Sequence, residues 1–278
     1  MRRAIALATA VLVGGLLLSS CGDSGSEDGG FQVTSEVVSR EATKDMLVFA
    51  PDAEGSWPVI VAFHGVGGTP KDIAEIAARL AGEGNVVFAP TYGTDITTRE
   101  GVDQAGIDAE CGYRLARSIA ADYGGDLTQP VTFVGWSLGA SAALAIALTE
   151  EIDPSGKFVS CFSQVPRPDI VVAISGCHYE GGQVDLVDTS MWGNEEADIV
   201  LIAGEQDTTC PSWETEEAAA ELRSAGYDLD LVMLEGASHF APIFGDLVDG
   251  KLVVSDDPAG ERTLEVILKA IAARQDPS

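Results

Sequence analysis

Residues 131–148 read VTFVGWSLGASAALAIAL, and this stretch decides the fold. The apolar run Val131–Val134 is typical of a buried strand, and the Ala- and Leu-rich run 138–149 is typical of a helix. A sharp turn must join them, and we expect glycine at positions 135 and 139 because backbones approach closely there. Such a turn would present the hydroxyl of Ser137 above the carboxyl edge of a sheet.

The same alternation of strand and helix extends outward from this turn through the chain. Continuous apolar runs of strand length are typical of parallel strands covered on both faces, and the longer periodic runs between them predict helices. The predicted strands are 31–38, 45–50, 58–63, 85–89, 131–134, 170–174, 199–203 and 229–234. The predicted helices are 70–82, 102–122, 138–149, 212–225 and 260–274. The short connections predict a single α/β domain over 31–278, with a mostly parallel central sheet, helices on both faces and no large lid.

A serine hydroxyl becomes a strong nucleophile only when a base removes its proton. The chain has three histidines. His239 follows the last predicted strand, so it should lie at the same sheet edge as Ser137, and it is our candidate base. His178 follows an earlier strand and is a pocket or structural residue in this interpretation, while His64 follows the strand 58–63.

A carboxylate is needed to orient the histidine and to stabilise its charged form. Asp207 follows the strand 199–203 at the same edge and is our candidate. Glu205 is the nearby competitor, and a turn-capping or solvated acid is the alternative for Asp207 in so acidic a chain.

The chain order Ser137, Asp207, His239 and the turn Gly135-Trp136-Ser137-Leu138-Gly139 resemble the α/β-hydrolase family. The resemblance covers roughly residues 45–274. It implies the α/β-hydrolase fold and cleavage of carboxylic esters through an acyl-enzyme intermediate.

The family resemblance also implies an oxyanion hole, formed by the N–H groups of Leu138 and Val66. Val66 lies in the loop 64–68, where His64 would organise the backbone. The rival interpretation of this glycine-rich loop is a phosphate-binding loop, but the lysine that a P-loop requires does not follow it. Trp136, beside Ser137, is a candidate pocket wall, and Trp192 and Trp213 could serve similarly.

Among hydrolases the chain is similar to dienelactone-hydrolase-like and cutinase-like esterases, although Ser137 stands where a dienelactone hydrolase has cysteine. We expect a small-molecule or lipid ester as substrate. The alternatives are an acyltransferase of the same fold and a non-catalytic binding lipoprotein.

The N-terminus predicts export. Arg2 and Arg3 precede the apolar run Ile5–Leu18, which is shorter than the roughly 20 residues of a spanning helix. The following Leu18-Ser19-Ser20-Cys21 resembles a bacterial lipobox, so residues 1–20 are a predicted lipoprotein signal peptide and Cys21 carries the lipid. Residues 21–30 are a predicted flexible tether, which places the domain outside the cytoplasm on the cell membrane. An ordinary signal peptide with an incidental cysteine is the alternative.

Four further cysteines in an oxidising compartment suggest two disulfides, with three possible connectivities. Cys177 and Cys210 follow neighbouring strands at one sheet edge, which favours their pairing and leaves Cys111 with Cys161. Buried free thiols are the alternative, notably for Cys111 on the apolar face of a helix.

The composition excludes some partners. The 278-residue chain has 44 acidic and 16 basic residues, a net charge of −28, which disfavours binding to nucleic acid or to an anionic membrane surface. The histidines are too dispersed for a metal cluster, and no nicotinamide or flavin fingerprint stands out. We expect a monomer without a metal or cofactor.

Overall fold

A computed structural model describes residues 30–39, 44–93, 95, 97–149, 165–178, 193 and 196–276. The predicted signal peptide lies outside the described residues, as does the predicted tether except for its last residue, so Cys21 is not described. Two further residues named above, Cys161 and Trp192, also lie outside the described ranges.

Ten strands and five α-helices are defined within that part of the chain. The strands are β1 Val33–Val38, β2 Met46–Pro51, β3 Val59–Phe63, β4 Val86–Pro90, β5 Val131–Trp136, β6 Ile170–Ile174, β7 Asp198–Gly204, β8 Leu229–Leu234, β9 Gly245–Val248 and β10 Lys251–Val254. The helices are α1 Ala74–Gly82, α2 Arg99–Ile119, α3 Leu138–Leu148, α4 Ser212–Ser224 and α5 Pro258–Gln275. Each predicted strand and helix is therefore present, with small shifts at the ends.

The first eight strands form one sheet in the order β1-β2-β4-β3-β5-β6-β7-β8. Strands β3 to β8 are parallel, whereas β1 and β2 run antiparallel to their neighbours. This confirms the mostly parallel sheet expected from the alternation of strands and helices.

Helices cover both faces of the sheet because each central strand is apolar on both sides. In β3, Val59, Val61 and Phe63 belong to a core shared with α2, α3 and α4. Ile60 and Ala62 belong to a second core shared with α1 and α5. The sheet therefore separates two cores, as expected for strands that are apolar throughout.

The start of α1 shows how local sequence sets an element. Pro70–Ile73 form a short 3-10 turn ahead of the helix, and Thr69 caps it: its hydroxyl accepts from Lys71 N–H and its own N–H donates to Asp72 Oδ2 at 2.7 Å. The predicted cap is present, although the first turn is 3-10 and not α.

The chain enters the domain at the amino edge of the parallel strands. Phe31 N–H donates to the carbonyl of Gly82, at the end of α1, and its ring packs edge-on against Trp57, 4.8 Å between centroids. The carboxyl edge, where Ser137, Asp207 and His239 lie, is the opposite side of the sheet.

The hairpin of β9 and β10 was not predicted. Among the described strands these two pair only with each other, and they lie between the histidine loop and α5 in the chain. None of the described helices has the length and apolar character to cross a membrane.

Candidate active site

Ser137 occupies a strained turn between β5 and α3. Its backbone has φ 57° and ψ −125°, a region that non-glycine residues rarely adopt. A Cβ on Gly135 would lie 2.0 Å from the carbonyl oxygen of Gly139, and one on Gly139 would lie 2.2 Å from that of Phe63. Both glycines are therefore required by close backbone contacts, as the sequence predicted.

The histidine loop and the acid loop meet at the carboxyl edge. His239 Nδ1 and Asp207 Oδ2 are 2.7 Å apart, and both residues are buried. The other oxygen, Oδ1, accepts hydrogen bonds from the N–H groups of Thr209 and Cys210, each at 2.8 Å. Glu205, the alternative acid, is exposed. The structure thus brings Asp207, and not Glu205, against the imidazole.

Trp136 links the histidine loop to the serine turn. Its indole N–H donates to the carbonyl of His239 at 2.9 Å, and the two rings are 5.1 Å apart. The ring also packs 5.3 Å from that of Phe240. The residue next to Ser137 therefore supports the loop of the candidate base, a role that sequence analysis missed.

Ser137 is buried, and its hydroxyl does not hydrogen-bond to His239 in this structure. Among the described residues, this hydroxyl contacts the sulfur of Cys177, at 4.0 Å. A serine hydroxyl turns about a single side-chain bond, and catalytic hydrogen bonds often form only when substrate is bound. The serine turn is linked to the imidazole and its carboxylate through the contacts of Trp136 with His239.

The loop 64–68 lies beside the serine because β3 pairs directly with β5. A Cβ on Gly65 would lie 3.1 Å from the Cβ of Ser137. Gly68 N–H donates to the carbonyl of Gly65 and closes a tight turn. The N–H of Val66 takes no part in this hydrogen bond. Gly67, within the turn, has a φ of 67°, which favours glycine.

Leu138 is the first residue of α3, where backbone N–H groups lack partners within the helix. The helix dipole also places partial positive charge there. Both predicted oxyanion donors thus belong to segments that adjoin Ser137.

His64 is fully buried at the base of this loop. Tyr92 stacks on its ring at 4.4 Å and donates a hydrogen bond from its hydroxyl to the His64 carbonyl. Burial lowers the pKa of His64, so its imidazole is neutral at neutral pH. These contacts fit the predicted organising role, and Tyr92 is a further contributor that sequence analysis missed.

His178 is also buried, and its Nε2 has no hydrogen-bond partner among the residues that the structure describes. Its Nδ1 lies 3.4 Å from the hydroxyl of Ser141, in the second turn of α3. Burial lowers the pKa of His178 to about 4. It contacts neither Asp207 nor His239 through any described hydrogen bond, so it is not the base of this site.

Cys177 and Cys210 form a disulfide, with their Cα atoms 4.8 Å apart. Cys111 is also disulfide-bonded, but Cys161 lies outside the described residues. Of the other predicted pocket residues, Trp213 is half exposed at the start of α4. No cluster of three or more metal-ligating side chains occurs among the described residues.

The strand order, the serine turn and the two loops that follow β7 and β8 define an α/β-hydrolase fold. The chlorophyllase family model matches residues 25–162, just under half of the chain. This segment includes the loop 64–68 and Ser137, but neither Asp207 nor His239. Comparison with curated proteins returns no match.

Solved structures with the same fold include several esterases. The butyrate-bound esterase Est2 of the planctomycete Thermogutta terrifontis is 21% identical, with a TM-score of 0.61, over 86% of this chain and 93% of its own. Esterase B of Lactobacillus rhamnosis is 15% identical, with a TM-score of 0.68, over 87% and 86%. A truncated carbohydrate esterase from gut microbiota is 16% identical, with a TM-score of 0.63, over 90% and 98%. These matches establish the fold.

Proposed function

We propose that the protein is a serine hydrolase that cleaves carboxylic esters, with Ser137 as nucleophile, His239 as base and Asp207 as the orienting acid. The 2.7 Å contact between His239 Nδ1 and Asp207 Oδ2, next to a strained serine turn, carries this proposal. The match to the chlorophyllase family and the esterases among the similar structures support it.

The chemistry follows from the tautomer of His239. When Nδ1–H is donated to the carboxylate of Asp207, the lone pair remains on Nε2. Ser137 Oγ turns toward Nε2, gives up its proton to it and attacks the ester carbonyl. The histidine then delivers this proton to the leaving alkoxide, and an acyl-enzyme remains.

A water molecule completes the cycle. His239 removes a proton from the water, hydroxide attacks the acyl carbon, and the proton returns to Ser137 as the acid leaves. The N–H groups of Leu138 and Val66 stabilise the negative oxygen in both steps; removing one such donor typically costs about 3–4 kcal/mol.

We further propose that the acyl groups are short. Est2 has been solved with butyrate and with propionate bound, and it has also been phosphorylated by paraoxon.

The lipid anchor on Cys21 and the location outside the cytoplasm remain proposals from the sequence. Sensitivity of the processing of the protein to globomycin tests them.

The test is the variant Ser137→Ala with p-nitrophenyl esters of graded acyl length. We expect turnover to fall by about 10⁴-fold or more, with an unchanged circular dichroism spectrum, and we expect the wild type to prefer short acyl chains. A fluorophosphonate probe should label the wild type and not the variant.

Other outcomes point to the alternatives. Wild-type rates in Ser137→Ala would refute the assignment, and an unlabelled, inactive wild type would indicate a binding lipoprotein. Transfer of a labelled acyl group to an added alcohol in preference to water would indicate an acyltransferase.

A further inference from the structure

The disulfide between Cys177 and Cys210 joins the two sides of the candidate active site. Cys177 follows β6, and its sulfur is 4.0 Å from the hydroxyl of Ser137. Cys210 follows β7, and its N–H donates to Asp207 Oδ1 at 2.8 Å. One covalent bond therefore joins a residue in contact with the nucleophile to the loop that holds the acid.

Each half-cystine is also tied to an element of the site. The Ser141 hydroxyl, on α3, donates to the carbonyl of Cys177 at 3.3 Å, so this backbone is fixed to the helix that begins after Ser137. Cys177 and Cys210 are 3% and 1% exposed, so the bond is enclosed by protein.

The backbone before Cys177 is shaped to bring its sulfur to the site. Ser175 has a φ of 48°, and its N–H donates to the carbonyl of Ile202 on β7 at 2.8 Å. At the next position, a Cβ on Gly176 would lie 2.4 Å from His178 Nε2, so a larger residue would have to displace that imidazole. The strained turn after β6 is therefore fixed to the neighbouring strand.

We propose that this disulfide positions the proposed triad: it sets the distance between the Asp207 loop and Ser137, so that breaking it lowers turnover. The inference rests on the proposed function. The hydrogen bonds from Thr209 and Cys210 to Asp207 are local to the loop and would persist without the bond. What the bond fixes is the placement of that loop, together with the imidazole it orients, relative to the nucleophile.

Reduction would separate the loops. The reductant, a dithiol or a phosphine with water, supplies two electrons and two protons, and Cys177 and Cys210 become two thiols. Bonded sulfurs are about 2 Å apart, and two thiols cannot remain so close, so at least one loop must move. A displacement of about 1 Å in a catalytic site can cost about 10²-fold in rate.

The test is the double variant Cys177→Ser/Cys210→Ser, assayed well below its melting temperature. We expect kcat to fall about 10- to 100-fold with KM little changed, and fluorophosphonate labelling to slow in parallel. A disulfide that only stabilised the fold would lower the melting temperature and leave kcat unchanged, and that result would overturn the inference. Cys111→Ser is the control, because Cys111 is disulfide-bonded on α2 and has no described contact with Ser137 or Asp207.

A second measurement applies if the double variant does not fold. The wild type is titrated with a phosphine, and the free thiols at Cys177 and Cys210 are quantified by alkylation and mass spectrometry alongside kcat. Activity should decline with the appearance of these two thiols and return on reoxidation. Full alkylation of both at undiminished kcat would overturn the inference, whereas absence of Ser137-dependent turnover in the untreated protein would overturn the proposed function itself.

Discussion

The exchange Asp207→Asn tests the hydrogen bonds that orient the candidate base. In the structure, Asp207 Oδ1 accepts from two backbone N–H groups, and Oδ2 faces His239 Nδ1. An asparagine has the same shape, and its single carbonyl oxygen should take the Oδ1 position, because an NH₂ group there would face two donors. Its NH₂ group must then face the imidazole.

This orientation forces the wrong tautomer on His239. The new NH₂ donates to Nδ1, so the ring carries its hydrogen on Nε2 and has no lone pair there to accept the proton of Ser137. In a serine triad, this change costs about 10⁴-fold in kcat. The loss corresponds to about 5 kcal/mol of transition-state stabilisation.

The assay is hydrolysis of p-nitrophenyl butyrate at pH 7, with the melting temperature as a check on folding. Glu205→Gln is the matched control, because it removes one negative charge from an exposed position in the same loop. We expect Asp207→Asn to lose about 10⁴-fold in kcat and Glu205→Gln to keep the wild-type rate. A large loss in Glu205→Gln with an active Asp207→Asn would refute this interpretation of the acid loop.

Two further predictions concern backbone contacts and pH. Gly139→Ala should lower both kcat and the melting temperature, because the new Cβ would lie 2.2 Å from the carbonyl oxygen of Phe63. The control is Gly106→Ala on α2, where a Cβ meets nothing within 4 Å, and it should be neutral or stabilising. Wild-type kcat and melting temperature in Gly139→Ala would contradict this expectation. Burial lowers the pKa of His178 from 6.5 to about 4, so as the pH falls the unfolded chain takes up a proton on this residue before the folded chain does. The contribution of the neutral imidazole to the free energy of unfolding is therefore complete above pH 6.5 and is lost as the pH falls toward 4. Between pH 7 and pH 5, the free energy of unfolding should therefore fall by about 2 kcal/mol less in His178→Gln than in the wild type, as measured by urea titration at the two pH values. An equal fall in the wild type and the variant would argue against this role of His178.

Sequence patterns predicted the parts of this structure that depend on local order. The apolar runs set the parallel strands, and the glycines at 135 and 139 marked the turn around Ser137. Asp207 and His239 were predicted because both follow parallel strands and must therefore reach the same edge.

Contacts between distant segments were not predictable in this way. Trp136 and His239 are 103 positions apart, and nothing in the sequence links that indole to that carbonyl. Tyr92 beneath the loop 64–68 was missed for the same reason. The β9–β10 hairpin did leave a local signal, since Asp249-Gly250 between two apolar runs is typical of a tight hairpin turn and both residues have positive φ.

The attachment of Phe31 beside Gly82 and Trp57 has a practical consequence. Whatever is joined upstream of this residue, whether an affinity resin, a fused reporter or the lipid proposed for Cys21, is connected at the edge of the sheet opposite to the edge that carries Ser137. Immobilisation through the N-terminus should therefore leave the carboxyl edge of the sheet, with Ser137, away from the support, where a dissolved ester can reach it.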